Sequence, residues 1–592
     1  MKPADYLKAA RELEAAPAEH PPLRVAILSS YTLEFLRPFL TVEAARLGLS
    51  VATYFGPYGQ FEQELASADS GLRAFRPDVL VLALRLEDVD PDATVRYHQS
   101  SGQRFRALAA DVTGRLSGCA RLFREGSAGP VLVANFATPP DPPLGPFEAN
   151  SAQSLTGAVV DANARLLDQV GAVSGAVIWD YAGLVGHAGR GGWIDPRLWA
   201  LARIPVAARH HPTLAAHLAR TIRGVLRPMA KCLVLDLDDT LWGGVIGDDG
   251  VEGIRLGDDH PGSAYKAFQR RVLGLMDRGI LLAVASKNDP EVVEHAFRHH
   301  PEMLIRWEDL AAVRINWEPK SGNLRAIAAE LNLGADALVF FDDNPVERAE
   351  VRANAPEVRV VEVPADPLAY GDALARVWDF DQPSLSDEDR ARATMYRLDR
   401  QRSALAATAR SPDEFLASLE MVATVGEADA GTLGRVAQLV AKTNQFNLTT
   451  RRHGPAELAA MAADPATVVA WLRLADRFGD QGLVGVAILR REGEQGLIDT
   501  LLMSCRVMNR RVEQALAAYL VEHARRLGCR EVIGHYLPTQ KNGMVRDLYP
   551  RLGLTATDDT GGRFALRLGE ADIAWPEVIQ RVSAAPASVP VG

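Results

Sequence analysis

Four polar clusters follow one another along the middle of the chain: Asp236-Leu237-Asp238-Asp239-Thr240, Ser286-Lys287-Asn288, Lys320, and Asp342-Asp343-Asn344. Asp236, Asp342 and Asp343 are carboxylates with no His or Cys beside them. Crowded together they would repel and raise one another's pKa until a cation neutralised them. A donor set of hard oxygens suits Mg²⁺. With the Lys320 ammonium and the Ser286 hydroxyl, such an ion would complete a cradle for a phosphoryl trianion. One carboxylate could then attack phosphorus in line while another protonates the leaving oxygen. An aspartate two residues from the nucleophile projects from the same loop, which makes Asp238 the natural acid/base. Taken singly, D-x-D is a common solvated loop, Ser-Lys-Asn a turn, and Lys320 a helix-start residue at the unfavourable end of the dipole. The ordered set is what carries the chemistry.

Placing these groups requires strands that end where they begin. KCLVLD (231–236), ILLAVAS (280–286) and ALVFFD (337–342) are apolar strand-like runs, each closing on one cluster, and Lys320 opens a helix near 321–332. Helical stretches near 264–278 and 290–299 alternate with them, as far as VRVVEV (358–363). In an open α/β sheet that carboxyl edge is where ligands bind. An earlier block carries RVAILSS (24–30), DVLVLAL (78–84), PVLVAN (130–135) and AVIWDY (176–181), then a helix over 213–226. Its alternation predicts a second parallel, doubly wound sheet. A later block has strands TVVAWLRL (467–474), LVGVAILRR (483–491) and GLIDTLLMS (496–504), followed by a helix near 510–527. The expected organisation is therefore an α/β three-domain chain: 1–228, 229–380, a solvated linker helix over 381–410, a domain over 411–575, and a disordered tail over 576–592.

At 592 residues several domains are expected. Apolar residues at 47% and charged residues at 24% exclude wholesale disorder. The net charge of −10 argues against a general nucleic-acid or anionic-membrane binder. There are only eight lysines, which makes a well-placed one informative. Four cysteines without a C-x-x-C pair argue against both a disulfide framework and a structural zinc site. No run is apolar enough to span a membrane, and the charged N-terminus does not read as a signal peptide. A reduced, cytoplasmic protein is expected.

DLDDTL, ASKN, WEPK and FDDN resemble the four ordered motifs of the haloacid-dehalogenase superfamily, which works through an aspartyl phosphate. KCLVLDLDDTLWGGVIGDDG, with INWEPKSGN and FFDDNPVER, is similar to its FkbH-like branch, and LVAKTNQFNLTTRR (439–452) and LLMSCRV (501–507) extend the likeness. The resemblance implies a glyceryltransferase/phosphatase that moves a three-carbon acyl unit from 1,3-bisphosphoglycerate to the phosphopantetheine thiol of an acyl carrier protein. It implies Asp236 as nucleophile and Mg²⁺ ligand, and Asp238 as acid/base lending a backbone carbonyl to the metal. Ser286 and Lys320 would hold phosphate, Asp342 would complete the metal site, and Asp343 is a second candidate ligand. Thr240, Lys287, Asn288 and Arg506 are the expected substrate contacts. A glyceryl product requires thiol attack at the C1 carbonyl, which leaves the phosphatase site to remove the C3 phosphate.

The third block is similar to GNAT acyltransferases in its strand-loop-helix at 496–527 and in NGMVRDLYPRLGL (542–554). Asn509 and Arg511 stand where that fold's R-x-x-G-x-G loop has glycines, so coenzyme A is not expected, whereas a carrier-protein arm is. Cys505, ahead of Arg506 and a helix start, is the candidate for a covalent thioester; Cys232 reads as a buried hydrophobe. Arg506, Arg510 and Arg511 could meet an acidic carrier protein. The first block resembles an SGNH-hydrolase domain but lacks its Asp-x-x-His, so Ser30 reads as a turn residue and the domain as a docking module. The competing readings are a phosphatase acting on a soluble phosphorylated metabolite, and a non-enzymatic scaffold.

Overall fold

The structure, a computed structural model, describes residues 2–16, 21–90, 102–142, 144–226, 229–385, 387–443, 446–504, 507–539, 542–558 and 562–584. It falls into two compact units, Met1–Arg390 and Ala391–Gly592.

The first unit holds two parallel sheets. One comprises β1 (Leu23–Ser29), β2 (Val51–Phe55), β3 (Val79–Ala83), β4 (Val131–Ala134) and β5 (Ala176–Trp179), in the order β2-β1-β3-β4-β5. Successive side chains of a strand face opposite sides, and both sides here are apolar. Ala26 and Leu28 of β1 enter one core, under helices Gly102–Gly126 and Leu155–Gly171. Val25 and Ile27 enter the other, under helices Arg37–Arg46 and His211–Leu226. Strand β2 was not expected: VATYF is half-buried along its length at the sheet edge, so it carries no strong apolar run.

The other sheet comprises β6 (Cys232–Leu235), β7 (Leu281–Ser286), β8 (Leu310–Ile315), β9 (Leu338–Phe341) and β10 (Arg359–Val360), in the order β10-β9-β6-β7-β8, all parallel. The central strand β6 is fully buried, as an uninterrupted CLVL run demands. Burial pushes the Cys232 thiol upward, so it behaves as a small hydrophobe. β8 was missed because Arg314 interrupts a short Ala-rich run, and VRVVEV contributes only Arg359–Val360 to the ladder. Arg220, on the helix that closes the first sheet, pairs with Asp381 beyond the second, Nη2 to Oδ1 at 2.7 Å.

The second unit is α+β. Strands β11 (Met421–Glu427), β12 (Thr467–Asp476), β13 (Gly479–Glu492) and β14 (Gln495–Met503) run antiparallel. Helix Val512–Arg526 then returns the chain to β15 (Glu531–His535), parallel to β14. β16 (Thr555–Ala556) and β17 (Arg563–Arg567) extend that edge antiparallel, and β18 (Ile579–Ser583) adds to β11 at the other. Together they form one eight-stranded sheet in the order β16-β17-β15-β14-β13-β12-β11-β18.

The expected solvated linker helix requires correction. Helix Asp387–Thr408 crosses the division between the units, and Arg402 on it is 2% exposed. Its guanidinium forks onto Asp476, both contacts at 2.7 Å. Arg510 is drawn into the same cluster, 3.6 Å from Asp399 and from Asp476. It is therefore an internal cation, not one presented to a carrier protein, and Arg511 pairs with Asp413. The expected disordered tail over 576–592 also requires correction: Ile579–Ser583 forms β18 against β11, and residues 585–592 lie outside the described residues.

Candidate active site

Asp236 follows the last residue of β6 and Asp342 the last residue of β9. These strands are neighbours: the chain winds from β6 through β7 to β8 on one side, then crosses to β9 on the other. That reversal opens the crevice in which doubly wound sheets bind ligands. The Asp236 amide donates to the Phe341 carbonyl at 3.0 Å, which holds the two acid-bearing loops in register.

One carboxylate oxygen from each of Asp236, Asp342 and Asp343 lies within 4.8 Å of the others. Two like unit charges at that separation repel by about 3–4 kcal/mol at an effective dielectric of ~20. The cation facing them is Lys320, 2% exposed, with Nζ 2.8 Å from Asp236 Oδ1 and 2.5 Å from Asp342 Oδ2. The first contact is an ion pair without hydrogen-bond alignment, and Asp236 Oδ1 remains a buried oxygen with no hydrogen-bond donor. A single ammonium does not balance three acids. Burial, and then the Asp236 charge, raise the Asp342 carboxyl despite Lys320. Burial likewise raises Asp343, to about 6, against the hydrogen bond from Thr240. The pocket is short of positive charge and its donors are all hard oxygens, so the residues present fit a divalent cation such as Mg²⁺.

Asp238 stands beside this cluster. Its Oδ1 accepts from Trp242 Nε1 at 3.0 Å and from the Ile246 amide at 3.1 Å, and its Oδ2 accepts from Asn288 Nδ2 at 2.9 Å. Burial raises its pKa, and those three donors offset the rise only in part. A carboxyl that keeps its proton more readily than usual suits an acid/base. The loop that presents it is held open by Asp239 at φ +49° and Gly244 at φ +95°; the Asp239 side chain accepts from the Gly244 amide at 2.8 Å. Fully buried Trp242 anchors the loop edge-on against Phe297.

Ser286 ends β7, nearly fully buried, and its Oγ accepts from Asn288 Nδ2 at 3.2 Å. The helix beyond starts cleanly, because Asp289 caps the Glu291 and Val292 amides and Pro290 takes the first position. Asn344 and Pro345 do the same for helix Pro345–Asn354 after Asp342 and Asp343. Two expected substrate contacts are engaged otherwise. The buried Thr240 hydroxyl donates to Asp343 Oδ1 at 3.0 Å and accepts from the Asp343 amide, so it supports an acid. Lys287 reaches Glu347 at 2.6 Å. Cys505 and Arg506 lie outside the described residues.

Three supporting residues escaped the sequence reading. Arg348 is buried and donates through Nη1 to the Asp342 and Asp343 carbonyls, at 2.8 and 2.6 Å. Tyr370 donates to the Asp239 carbonyl at 2.9 Å, and buried Gln269 to the Leu241 carbonyl at 2.9 Å. Arg348 carried a signal: it lies one turn into a capped helix directly behind two acids. Tyr370 and Gln269 are distant in sequence and carried none. At the carboxyl edge of the first sheet, Ser30 donates to Asp88 at 2.8 Å and accepts from the Arg85 amide. No imidazole among the described residues contacts it: His211 bonds the Val206 carbonyl, and His210 stacks on Trp193.

A model of the FkbH N-terminal domain matches residues 24–223. Among solved structures, the N-terminal part of the Bacteroides fragilis protein BF1531, containing a phosphatase domain and complexed with Mg, is similar at 29% identity with a TM-score of 0.57. The match covers 64% of this chain and 99% of that one. The ribosomal-protein-S18-alanine N-acetyltransferase of Escherichia coli matches at 12% identity with a TM-score of 0.20, covering 28% of this chain and 99% of that one. No curated protein matches the chain. The FkbH N-terminal domain, followed by a parallel sheet with the ordered acid, hydroxyl and lysine positions at its carboxyl edge, makes the chain FkbH-like, with a haloacid-dehalogenase-type phosphatase domain.

Proposed function

We propose that the chain is a Mg²⁺-dependent glyceryltransferase/phosphatase that loads the glyceryl unit of 1,3-bisphosphoglycerate onto the phosphopantetheine thiol of an acyl carrier protein. The observation that carries the phosphoryl chemistry is the buried Lys320 ammonium set between Asp236 and Asp342, with Asp343 converging on the same point.

The Asp236, Asp342 and Asp343 carboxylates, with the Asp238 backbone carbonyl, would hold the ion. Bound Mg²⁺ supplies positive charge that neutralises these acids and stabilises the phosphoryl group in flight. Lys320 and the Ser286 hydroxyl bind the phosphate oxygens. A carboxylate oxygen of Asp236 attacks phosphorus, forming an O–P bond as the ester O–P bond breaks, and the leaving oxygen takes the Asp238 proton. Asp238, now ionised, accepts a proton from water as that water attacks the aspartyl phosphate, releasing inorganic phosphate and restoring Asp236. Asn288 is a positioning residue: it bridges the Asp238 carboxylate and the Ser286 hydroxyl. Acyl transfer is a separate step. A thiolate attacks the C1 carbonyl and expels the acyl phosphate as phosphate, so the C1 activation is used for the thioester and only the C3 ester needs the phosphatase site. Cys505 is the proposed relay thiol.

Intact-mass spectrometry of a carrier protein incubated with enzyme, Mg²⁺ and 1,3-bisphosphoglycerate tests this reading. Gain of one glyceryl group supports it, and the gain should disappear in Cys505→Ala while phosphate release persists. Inorganic phosphate with an unmodified carrier would leave a phosphatase of soluble metabolites in its place.

A further inference from the structure

The carboxyl edge of the first sheet carries a second cleft, in which the phosphatase chemistry has no part. It lies beyond β1, β3, β4 and β5, and its walls include Tyr31, Arg85, Phe136, Tyr181, Arg190 and Trp193. Tyr31 is 4% exposed, and its hydroxyl meets no hydrogen-bond partner among the described residues. That hydroxyl is not sealed from solvent, so it stands as a free donor at the cleft. Tyr181 accepts from Trp193 Nε1 at 2.8 Å, and its own proton likewise finds no acceptor among the described residues. Burial pushes both phenols upward, Tyr181 to about 12, and Tyr181 adds to the rise at Tyr31; both stay protonated donors. Arg85 is stacked 3.9 Å over Trp199 and lies 3.4 Å from Glu87. Arg190 is exposed, and its guanidinium meets no acid among the described residues.

Two phenol O–H donors on the cleft wall, one from buried Tyr31 and one from half-buried Tyr181, with an uncommitted guanidinium and aromatic walls, call for a ligand with a charged acceptor at one end and a small apolar body at the other. The cavity measures about 70 Å³. At roughly 10–15 Å³ per water-sized site, that is space for about five to seven heavy atoms. We propose that the cleft binds a short monocarboxylate of roughly two to four carbons, its oxygens accepting from Tyr31 and Tyr181 and its charge facing Arg190. Glu87, also on the wall, disfavours a phosphate dianion. Ser30 donates to Asp88, and no imidazole among the described residues contacts it, so the proposal is for binding alone.

The full-length protein is titrated with acetate, propionate and lactate, and with acetamide, propionamide, lactamide and inorganic phosphate, by calorimetry and saturation-transfer NMR. The expected result is saturable binding of a carboxylate about tenfold or more tighter than its amide and than phosphate. Tyr31→Phe and Arg190→Gln should each weaken it about tenfold while hydrolysis of a small phosphate ester is unchanged. Asp236→Asn should bind the carboxylate as the parent does, which separates this site from the phosphatase site. Equal binding of acid and amide, tighter binding of phosphate, no saturation at tens of millimolar, or a response that follows Asp236→Asn and ignores Tyr31→Phe would each overturn the proposal.

Discussion

Replacing Lys320 by methionine removes the only ammonium in contact with Asp236 and Asp342 among the described residues while keeping much of the side-chain volume. Nζ lies 2.8 Å from Asp236 Oδ1 and 2.5 Å from Asp342 Oδ2, and the side chain is 2% exposed. At an effective dielectric of ~20 the first contact alone is worth about 6 kcal/mol before desolvation. Breaking such a buried pair leaves uncompensated charge and costs about 3–5 kcal/mol net. The loss depends on pH in a definite direction. Asp342 already holds its proton above the usual carboxylate range, through burial first and the Asp236 charge next. Without Lys320 it would hold the proton to still higher pH. An acid whose folded-state pKa is raised contributes stability that is present below its unfolded pKa and lost as pH rises through the folded value. Without metal, Lys320→Met should therefore cost about 3–5 kcal/mol at pH 8 and markedly less at pH 5. Thermal unfolding of the phosphatase domain reads this as roughly 10 °C at pH 8. Mg²⁺ should recover part of that loss by restoring positive charge to the acids. An equal loss at both pH values, or a larger one at pH 5, would refute the electrostatic reasoning.

Asn288→Leu removes the amide that favours the ionised form of Asp238, so the alkaline limb of kcat/KM should move to higher pH as its pKa rises further; a pH–rate profile reads the shift. Arg348→Ala frees the Asp342 and Asp343 carbonyls, and should weaken Mg²⁺ binding about 10–100-fold in a calorimetric titration with little change in circular dichroism. Arg402→Ala removes the fork onto Asp476 and leaves Arg510, 3.6 Å away, as its facing cation; it should destabilise the second unit by about 1.5–3 kcal/mol in chemical denaturation.

The phosphatase site was legible in the sequence because strand ends and chemistry coincide there. CLVL, LLAVAS and LVFF are apolar runs that stop at Asp236, Ser286 and Asp342, so the order of elements alone brings those groups to one edge. What supports them was not legible. Thr240 looked like a phosphate contact, yet its hydroxyl belongs to Asp343, a partner set by the β6–β9 pairing and not by local pattern. Helix Asp387–Thr408 read as solvated because the whole segment is rich in charge; only the fold shows that Asp476 takes the Arg402 charge out of water. Strand β8 was hidden by its arginine and β2 by its half-buried edge position, where packing rather than propensity decides the element.

In the proposed reaction phosphorus is transferred to Asp236. Rapid acid quench of the Mg²⁺-loaded enzyme with a phosphorylated substrate, followed by peptide mass spectrometry, tests that directly. The expected result is a transient phosphoryl group on the peptide bearing Asp236, accumulating in Asp238→Asn and absent in Asp236→Asn. Unimpaired phosphate release by Asp236→Asn, or a phosphoryl group on any other side chain, would contradict it.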